Sequence, residues 1–163
     1  MRVVFVAGLI AAFTLSARAA EEKGDLAAQM KEAKVSLEKG IAASATKGKP
    51  LSAKYEVEDG KLQLSVYTAK GDSFSEVIVD HRTGKVAKAE PITGGDDLTA
   101  AKRQNEAMSS AKTSLQAAVS KAVKANKGYK AVSAMPSLKD GHPTADITLM
   151  KGAESKTVSR PLD

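Results

Sequence analysis

One stretch of the chain, GDSFS at residues 71–75, is similar to the nucleophile region of some serine hydrolases. A serine attacks a carbonyl only when a base lies within hydrogen-bond reach and an oxyanion hole faces the reacting carbon. The two histidines, His81 and His142, both fall in polar segments where the sequence predicts turns. We therefore interpret residues 70–72 as a hairpin turn before Ser73, assign no catalytic residue and expect that the protein is not an enzyme.

The same two histidines are the strongest metal-ligand candidates in the sequence. Asp80 precedes His81, and Asp140 lies shortly before His142. A zinc site needs three or four ligands on rigid elements, whereas each histidine here has one nearby carboxylate. The chain has no cysteine, so neither thiolate ligands nor disulfides are available. We expect solvated turn histidines, with no metal and no cofactor.

A third candidate, Gly84-Lys85 in EVIVDHRTGKV at residues 76–86, ends like a phosphate-binding loop. Such a loop needs several glycines upstream and a serine or threonine after the lysine. Val86 follows the lysine here, and no glycine lies four to six residues upstream. As a turn the stretch is consistent, because Asp80 can cap it and Gly84 can adopt positive φ. The pattern predicts a strand, a turn and a second strand.

These residues belong to a chain of 163 residues that opens with an export-signal pattern. Arg2 precedes an apolar run at residues 3–15, which is shorter than the roughly 20 residues that span a bilayer. Ala17 and Ala19 then provide the small residues that a signal peptidase requires. We predict a signal peptide at residues 1–20, an uncleaved anchor being the alternative. A periplasmic or secreted location without stable membrane insertion is expected.

Charge and composition argue against nucleic acid as a ligand. Without Arg2 and Arg18, 23 basic residues face 19 acidic ones, and the excess is spread along the chain. The sequence contains three tyrosines, three phenylalanines and no tryptophan, whereas base stacking needs aromatic faces. We therefore expect no nucleic-acid partner.

Periodicity predicts the elements that carry these residues. Spacings of three and four predict one helix over Leu26, Met30, Ala33, Leu37 and Ile41. Strict alternation on both sides of Asp59-Gly60 predicts a β-hairpin, and two further strands follow up to residue 92. A second long helix is predicted over residues that recur at the same spacing: Leu98, Ala101, Asn105, Met108, Ala111, Leu115, Val119 and Val123.

The pattern then recurs in the second half of the chain. SLEKGI at residues 36–41 corresponds to SLQAAV at 114–119, which defines a helix offset, from Ser36 to Ser114. DGKLQLSVYTAKG at residues 59–71 corresponds to DGHPTADITLMKG at 140–152, which defines a slightly longer strand offset, from Asp59 to Asp140. Self-similarity that covers several elements at nearly constant spacing indicates an internal duplication.

The predicted fold is α+β, with two tandem units, each a helix packed on an antiparallel β-sheet of hairpin-connected strands. The first unit takes residues 21–92 and the second, degenerate unit takes residues 98–163. Between them, residues 93–97 are predicted to be a linker whose aspartates cap the following helix.

A helix, a hairpin linked by Asp-Gly and a strand that ends in VIVDHRTGKV resemble the PepSY family, whose members carry V-x-V-D-x-x-T-G-K-V at this place. The matching residues are Val77, Val79, Asp80, Thr83, Gly84, Lys85 and Val86. The resemblance covers residues 34–92, and residues 110–163 resemble a second copy that lacks this ending. It implies small α+β units that bind and restrain peptidases or other proteins.

The aromatic residues suggest where a partner would bind. Tyr55 continues the alternation of Leu51 and Val57, so we expect it to face the core. Tyr67 is out of phase with its strand's apolar residues, which predicts the opposite sheet face. Exposed aromatics are common binding anchors, and we name Tyr67 and Phe74 as partner-binding candidates. For Tyr67, packing against cross-strand neighbours is the alternative.

The resemblance predicts an exported, non-catalytic protein-binding module that restrains or inhibits a peptidase or another envelope protein through a sheet face or edge. The alternative is a periplasmic protein that binds a small molecule or lipid between helix and sheet. That alternative requires an enclosed apolar cavity, whereas alanine-rich helix faces favour close approach of helix to sheet.

Overall fold

The computed structural model describes residues 25–163, so the predicted signal peptide lies outside the described residues. The strands are β1 (Lys49–Glu58), β2 (Lys61–Lys70), β3 (Ser73–Val79), β4 (Val86–Ile92), β5 (Lys130–Lys139), β6 (His142–Lys151) and β7 (Glu154–Pro161). The helices are α1 (Leu37–Ser44), α2 (Gly95–Ser110) and α3 (Leu115–Ala125), and residues 25–29 are also helical. This is an α+β fold that is mostly sheet.

All seven strands form one antiparallel sheet in the order β4-β3-β2-β1-β5-β6-β7. The predicted hairpin is confirmed: β1 and β2 pair on both sides of Asp59-Gly60. Both turn residues have positive φ, 48° and 73°, which suits a two-residue hairpin turn. The later strands of the predicted first unit are confirmed as β3 and β4.

The single helix predicted over residues 26–41 is wrong. The helical residues 25–29 are separated from α1 by an irregular segment, and α1 begins after Ser36. Ser36 is extended, with φ −77° and ψ 159°, and its Oγ accepts a hydrogen bond from the Lys39 N–H at 3.3 Å. A serine in this conformation caps a new helix instead of continuing the previous one. In the irregular segment, the N–H groups of Lys34 and Val35 donate to the His81 carbonyl.

The second long helix is wrong for the same reason. Ser114 is extended and accepts a hydrogen bond from the Ala117 N–H at 3.2 Å, so α2 ends before it and α3 begins after it. The predicted linker is also too long, because α2 already begins at Gly95. Asp96 and Asp97 lie in its first turn, and no side chain caps it at Gly94.

The sheet has helices on both faces. On the inner face, α1 and α3 lie side by side against the central strands. Tyr55 points to this face, is 3% exposed and donates a hydrogen bond to the Val35 carbonyl at 2.6 Å, as expected for a core tyrosine. Burial raises the pKa of Tyr55 to about 12. On the outer face, α2 crosses β1, β2, β5 and β6.

The strands recur at the strand offset. β1 begins at Lys49 and β5 at Lys130, and the same offset separates the starts of β2 and β6 and those of β3 and β7. It also relates the register shifts at residues 50–52 and 131–133. At the centre of the sheet, Ala53 pairs with Ala134, its counterpart at this offset. The two three-stranded halves of the sheet are therefore related by a local two-fold axis near the pairing of Ala53 with Ala134.

A second set of hydrogen bonds repeats as well. Lys112 and Thr113 donate their N–H groups to the Leu162 carbonyl at 2.7 and 2.8 Å. This matches the pair that Lys34 and Val35 give to His81. In each case the chain just after a strand, β3 or β7, holds the segment that leads into a helix.

None of the helices within residues 25–163 has the length and apolar character that a membrane crossing requires.

Candidate functional site

Of the residues that resemble the PepSY ending, Val77 and Val79 lie at the end of β3, and residues 80–86 form the tight turn into β4, which we call the signature turn. One carboxylate oxygen of Asp80 accepts hydrogen bonds from the N–H groups of Arg82 at 2.8 Å and Thr83 at 2.7 Å. Gly84 has a φ of 76° and donates its N–H to the Asp80 carbonyl. A Cβ on Gly84 would lie 3.5 Å from the Val35 side chain, so the turn packs against the segment before α1. The described contacts of this turn hold the fold together.

The turn gives a pH-dependent contribution to stability. Hydrogen bonds from the Thr83 and Arg82 backbone lower the pKa of Asp80 in the folded protein. A lowered folded pKa stabilises the fold above the unfolded pKa of about 3.9, and this stabilisation is lost as the pH falls through the folded value. We predict that Asp80→Asn lowers the melting temperature at pH 7. The difference between variant and wild type should shrink below about pH 4, and a difference independent of pH would contradict the assignment.

The residues considered for catalysis and metal binding are set apart from one another. Ser73 begins β3, and His81 follows its other end, so the length of the strand separates them by about 20 Å. His142 begins β6, and its Nδ1 lies 3.0 Å from an Asp163 carboxylate oxygen. Within residues 25–163, no three His, Asp or Glu side chains gather as a metal site would require.

Tyr67 and Phe74 share the outer face, but that face is not open where they lie. Tyr67 is half-buried beside α2, and its hydroxyl donates to an Asp97 carboxylate oxygen at 2.7 Å. Burial, reinforced by Asp97, raises the pKa of Tyr67. The predicted sheet face is thus confirmed, while a role in partner binding stays a prediction.

Phe74 is 7% exposed and belongs to the core, so its description as an exposed anchor is wrong. The register places Ala69 and Ile92 on the strands at either side of it, and all three are packed in the same apolar cluster. The prediction failed because it treated the outer face as uncovered.

One cluster that sequence reasoning missed lies across β5, β6 and β7. Lys139 Nζ lies 2.7 Å from Asp146 Oδ1 and 3.0 Å from Ser159 Oγ, and Ser159 donates to Asp146. Hydrogen bonds from Lys139 and then Ser159 lower the pKa of Asp146. A carboxylate with a lowered pKa is a weak base, and the hydrogen bonds of this trio cross-link the three strands. Residues so far apart in sequence become neighbours only through strand register.

The outer edge of the sheet at β7 carries a second set of contacts. Lys156 Nζ lies 4.1 Å from the centre of the Tyr129 ring, whose hydroxyl donates to Glu154. Arg160 is half-buried, and its Nε is buried with no hydrogen-bond partner among the described residues. Its counterpart at the strand offset is Val79, which is 1% exposed. Arginine thus stands in the second half of the sheet where the first half has a core valine.

Several clefts open on the described part of the chain, and three of them lie beside α1, α2 or α3. A polar one of about 200 Å³ lies under α2 and is lined by Ser52, Tyr67, Asp97 and Gln104, among others. Ser52 Oγ donates to Gln104 Oε1 across it at 2.7 Å. The other two lie where the chain enters α1 and α3, with volumes of about 180 and 300 Å³. Both are open to solvent on one side.

Comparison of the chain with protein-family models, curated proteins and solved structures finds no match.

Proposed function

We propose that this protein is an exported, non-catalytic module that binds another protein along the β7 edge of its sheet. The partner class implied by the resemblance to PepSY domains is a peptidase or another envelope protein, which the bound module would restrain. The mechanism is steric, with no turnover. Export rests on the signal-peptide pattern at residues 1–20.

We further propose that the chain consists of two tandem PepSY-like units, at residues 21–92 and 98–163, that share one sheet. The recurrence of three strands at the strand offset supports this proposal. So do the paired hydrogen bonds to His81 and Leu162 and the pairing of Ala53 with Ala134. A chance resemblance between two hairpins would not reproduce register shifts and segment contacts together.

The binding proposal rests on one observation: β3 and β7, which correspond to each other at the strand offset, have different neighbours. β3 pairs with β4 along its outer edge, whereas no strand within residues 25–163 pairs with the outer edge of β7. An edge strand presents unpaired N–H and C=O groups, to which an extended segment of a partner can add. The segment would occupy, beside β7, the place that β4 occupies beside β3.

The charges of the β7 side chains indicate what kind of partner segment would bind there. The side chains of Lys156 and Arg160 lie on one face of β7, and the Nε of Arg160 is buried with no hydrogen-bond partner within residues 25–163. An acidic side chain opposite Arg160 would form a charge-assisted hydrogen bond with the accessible part of its guanidinium. A second copy of β7 would bring like charges together, which disfavours pairing between identical edges. The partner strand is therefore expected to be acidic.

The test compares two edges of the same sheet. We expect that the mature protein, when it is immobilised and then exposed to envelope extract, retains a partner protein in stoichiometric amount. Lys156→Gln with Arg160→Gln should weaken that binding at least about tenfold, because removing one member of a hydrogen-bonded charge pair costs roughly 2–5 kcal/mol. The matched control combines Lys85→Gln in the signature turn with Lys88→Gln on β4; it removes the same charge and should bind as the wild type does. Equal loss with both double variants, or loss with neither, would contradict the β7 site.

A further inference from the structure

The clefts beside α1 and α3 occupy equivalent places in the repeat. Met30 and Lys34 line the smaller cleft, and their counterparts at the helix offset, Met108 and Lys112, line the larger one. Lys130 and Lys49, which the strand offset relates, stand at the two mouths. The two clefts are therefore equivalent in position, and their differences in volume and charge indicate which ligand each could bind.

Two differences within the repeat explain the difference in size. In the smaller cleft, Val123 and Tyr129 fill the space near β5. At the larger cleft the position that corresponds to Val123 is Ala45, and its described lining has no aromatic residue in the place of Tyr129. Smaller residues leave about 300 Å³ in place of about 180 Å³.

The larger cleft has an apolar floor. Three of the residues that line it, Ile41, Met108 and Leu115, are at most 3% exposed. Their side chains are held by the surrounding core, so the floor is already formed before any ligand enters. An apolar group that covers this floor would be removed from water, which favours binding.

The two mouths also differ in charge. Glu38, in the first turn of α1, stands at the mouth of the smaller cleft, and the equivalent position at the larger cleft is Gln116. Lys49 and Lys112 line the larger cleft without an acidic residue beside them in its described lining. Lys49 Nζ is fixed by a hydrogen bond to the Met108 carbonyl at 2.7 Å. An ammonium has three donors, so two remain for a ligand.

We propose that this larger cleft, between α1, the end of α2 and the start of α3, binds a medium-chain fatty acid. The alkyl chain would lie on Ile41, Met108 and Leu115, and the carboxylate would face the ammonium groups of Lys49 and Lys112. A volume of about 300 Å³ equals that of about ten water-sized groups at roughly 30 Å³ each. Octanoate, with ten non-hydrogen atoms, is the matching probe.

The experiment is a titration of the mature protein with sodium octanoate, followed by the NMR signals of its methionine, isoleucine and leucine methyl groups. We expect the methyl signals of Met108, Ile41 and Leu115 to shift, with a dissociation constant below about 1 mM. Octan-1-ol, which has the same chain without the charge, should bind about tenfold more weakly, through loss of two partly exposed charge contacts. Ala45→Leu, at an exposed position that borders the cleft, should abolish the shifts.

A matched pair of variants separates this cleft from general binding to lysines. Lys112→Gln should weaken octanoate binding about threefold, whereas Lys34→Gln, its equivalent at the smaller cleft, should leave it unchanged. Absence of binding at millimolar octanoate, equal affinity for octanol, or equal effects of the two variants would overturn the proposal. The inference is independent of the β7 edge, since octanoate binding and partner capture are separate measurements.

Discussion

Phe74→Ala is expected to lower the free energy of unfolding by about 3–5 kcal/mol, the usual range for a phenylalanine removed from a core. Phe74 is 7% exposed, and Ala69 and Ile92 flank it across the neighbouring strands. Alanine would leave a cavity that these strands cannot close, because both are held by ladder hydrogen bonds. Chemical denaturation of the variant and the wild type measures the difference.

Leu138 provides the matched control, because at 37% exposure it is the one exposed large hydrophobic residue within residues 25–163. Leu138→Ala should change the free energy of unfolding by no more than about 0.5 kcal/mol. If Phe74→Ala were equally mild while partner binding was lost, Phe74 would be a surface anchor and the packing described for β3 would be wrong.

Gly40→Ala is expected to destabilise the protein by about 1–3 kcal/mol, although alanine is the better helix former by about 1 kcal/mol. A Cβ at position 40 would lie 2.4 Å from Leu64 Cδ2, closer than two carbons can approach. Leu64 is completely buried in β2, so its side chain has no free space to enter. The glycine therefore sets the distance at which α1 packs on the sheet.

A double-mutant cycle tests this explanation. Leu64→Ala alone should cost about 2–5 kcal/mol. In that background the clash is removed, so Gly40→Ala should be neutral or stabilising, and the coupling should reach about 1 kcal/mol or more. Additive effects would mean that helix and sheet do not meet at this pair.

The strands could be predicted from sequence because their signals are local. Alternation around Asp59-Gly60 reports both the pleat and the turn, and each is determined within a short stretch of chain. The helices were harder. Leu37 and Ile41 continue the apolar spacing of Leu26 and Met30, so periodicity alone could not show that Ser36 caps a new helix.

The arrangement of the outer face could not be predicted for a different physical reason. Only two residue pairs, Ala53 with Ala134 and Lys54 with Ser133, are registered between β1 and β5, and no local pattern specifies such a contact. The course of α2 across the sheet depends on that pairing. Without that pairing, the sequence did not distinguish the surroundings of Tyr67 from those of Phe74. Tyr67 is half-buried against Asp97, whereas Phe74 belongs to the core.

The candidate site follows the same division. The signature turn was recognised from its residues, and the hydrogen bonds of Asp80 agree with the predicted turn chemistry. The β7 edge, the buried Nε of Arg160 and the unequal clefts depend on contacts between residues far apart in sequence. They become visible only when the two halves of the sheet are aligned by the strand offset.

The most direct test of the binding proposal is amide hydrogen exchange of the mature protein, free and saturated with its captured partner. Addition of a partner strand would give the outward-facing amides of β7 (Glu154–Pro161) new hydrogen bonds, and their exchange should slow by at least about tenfold. The amides of β4, at the opposite edge, should exchange as they do in the free protein. Protection at β4 or on the helices, with β7 unchanged, would contradict the account.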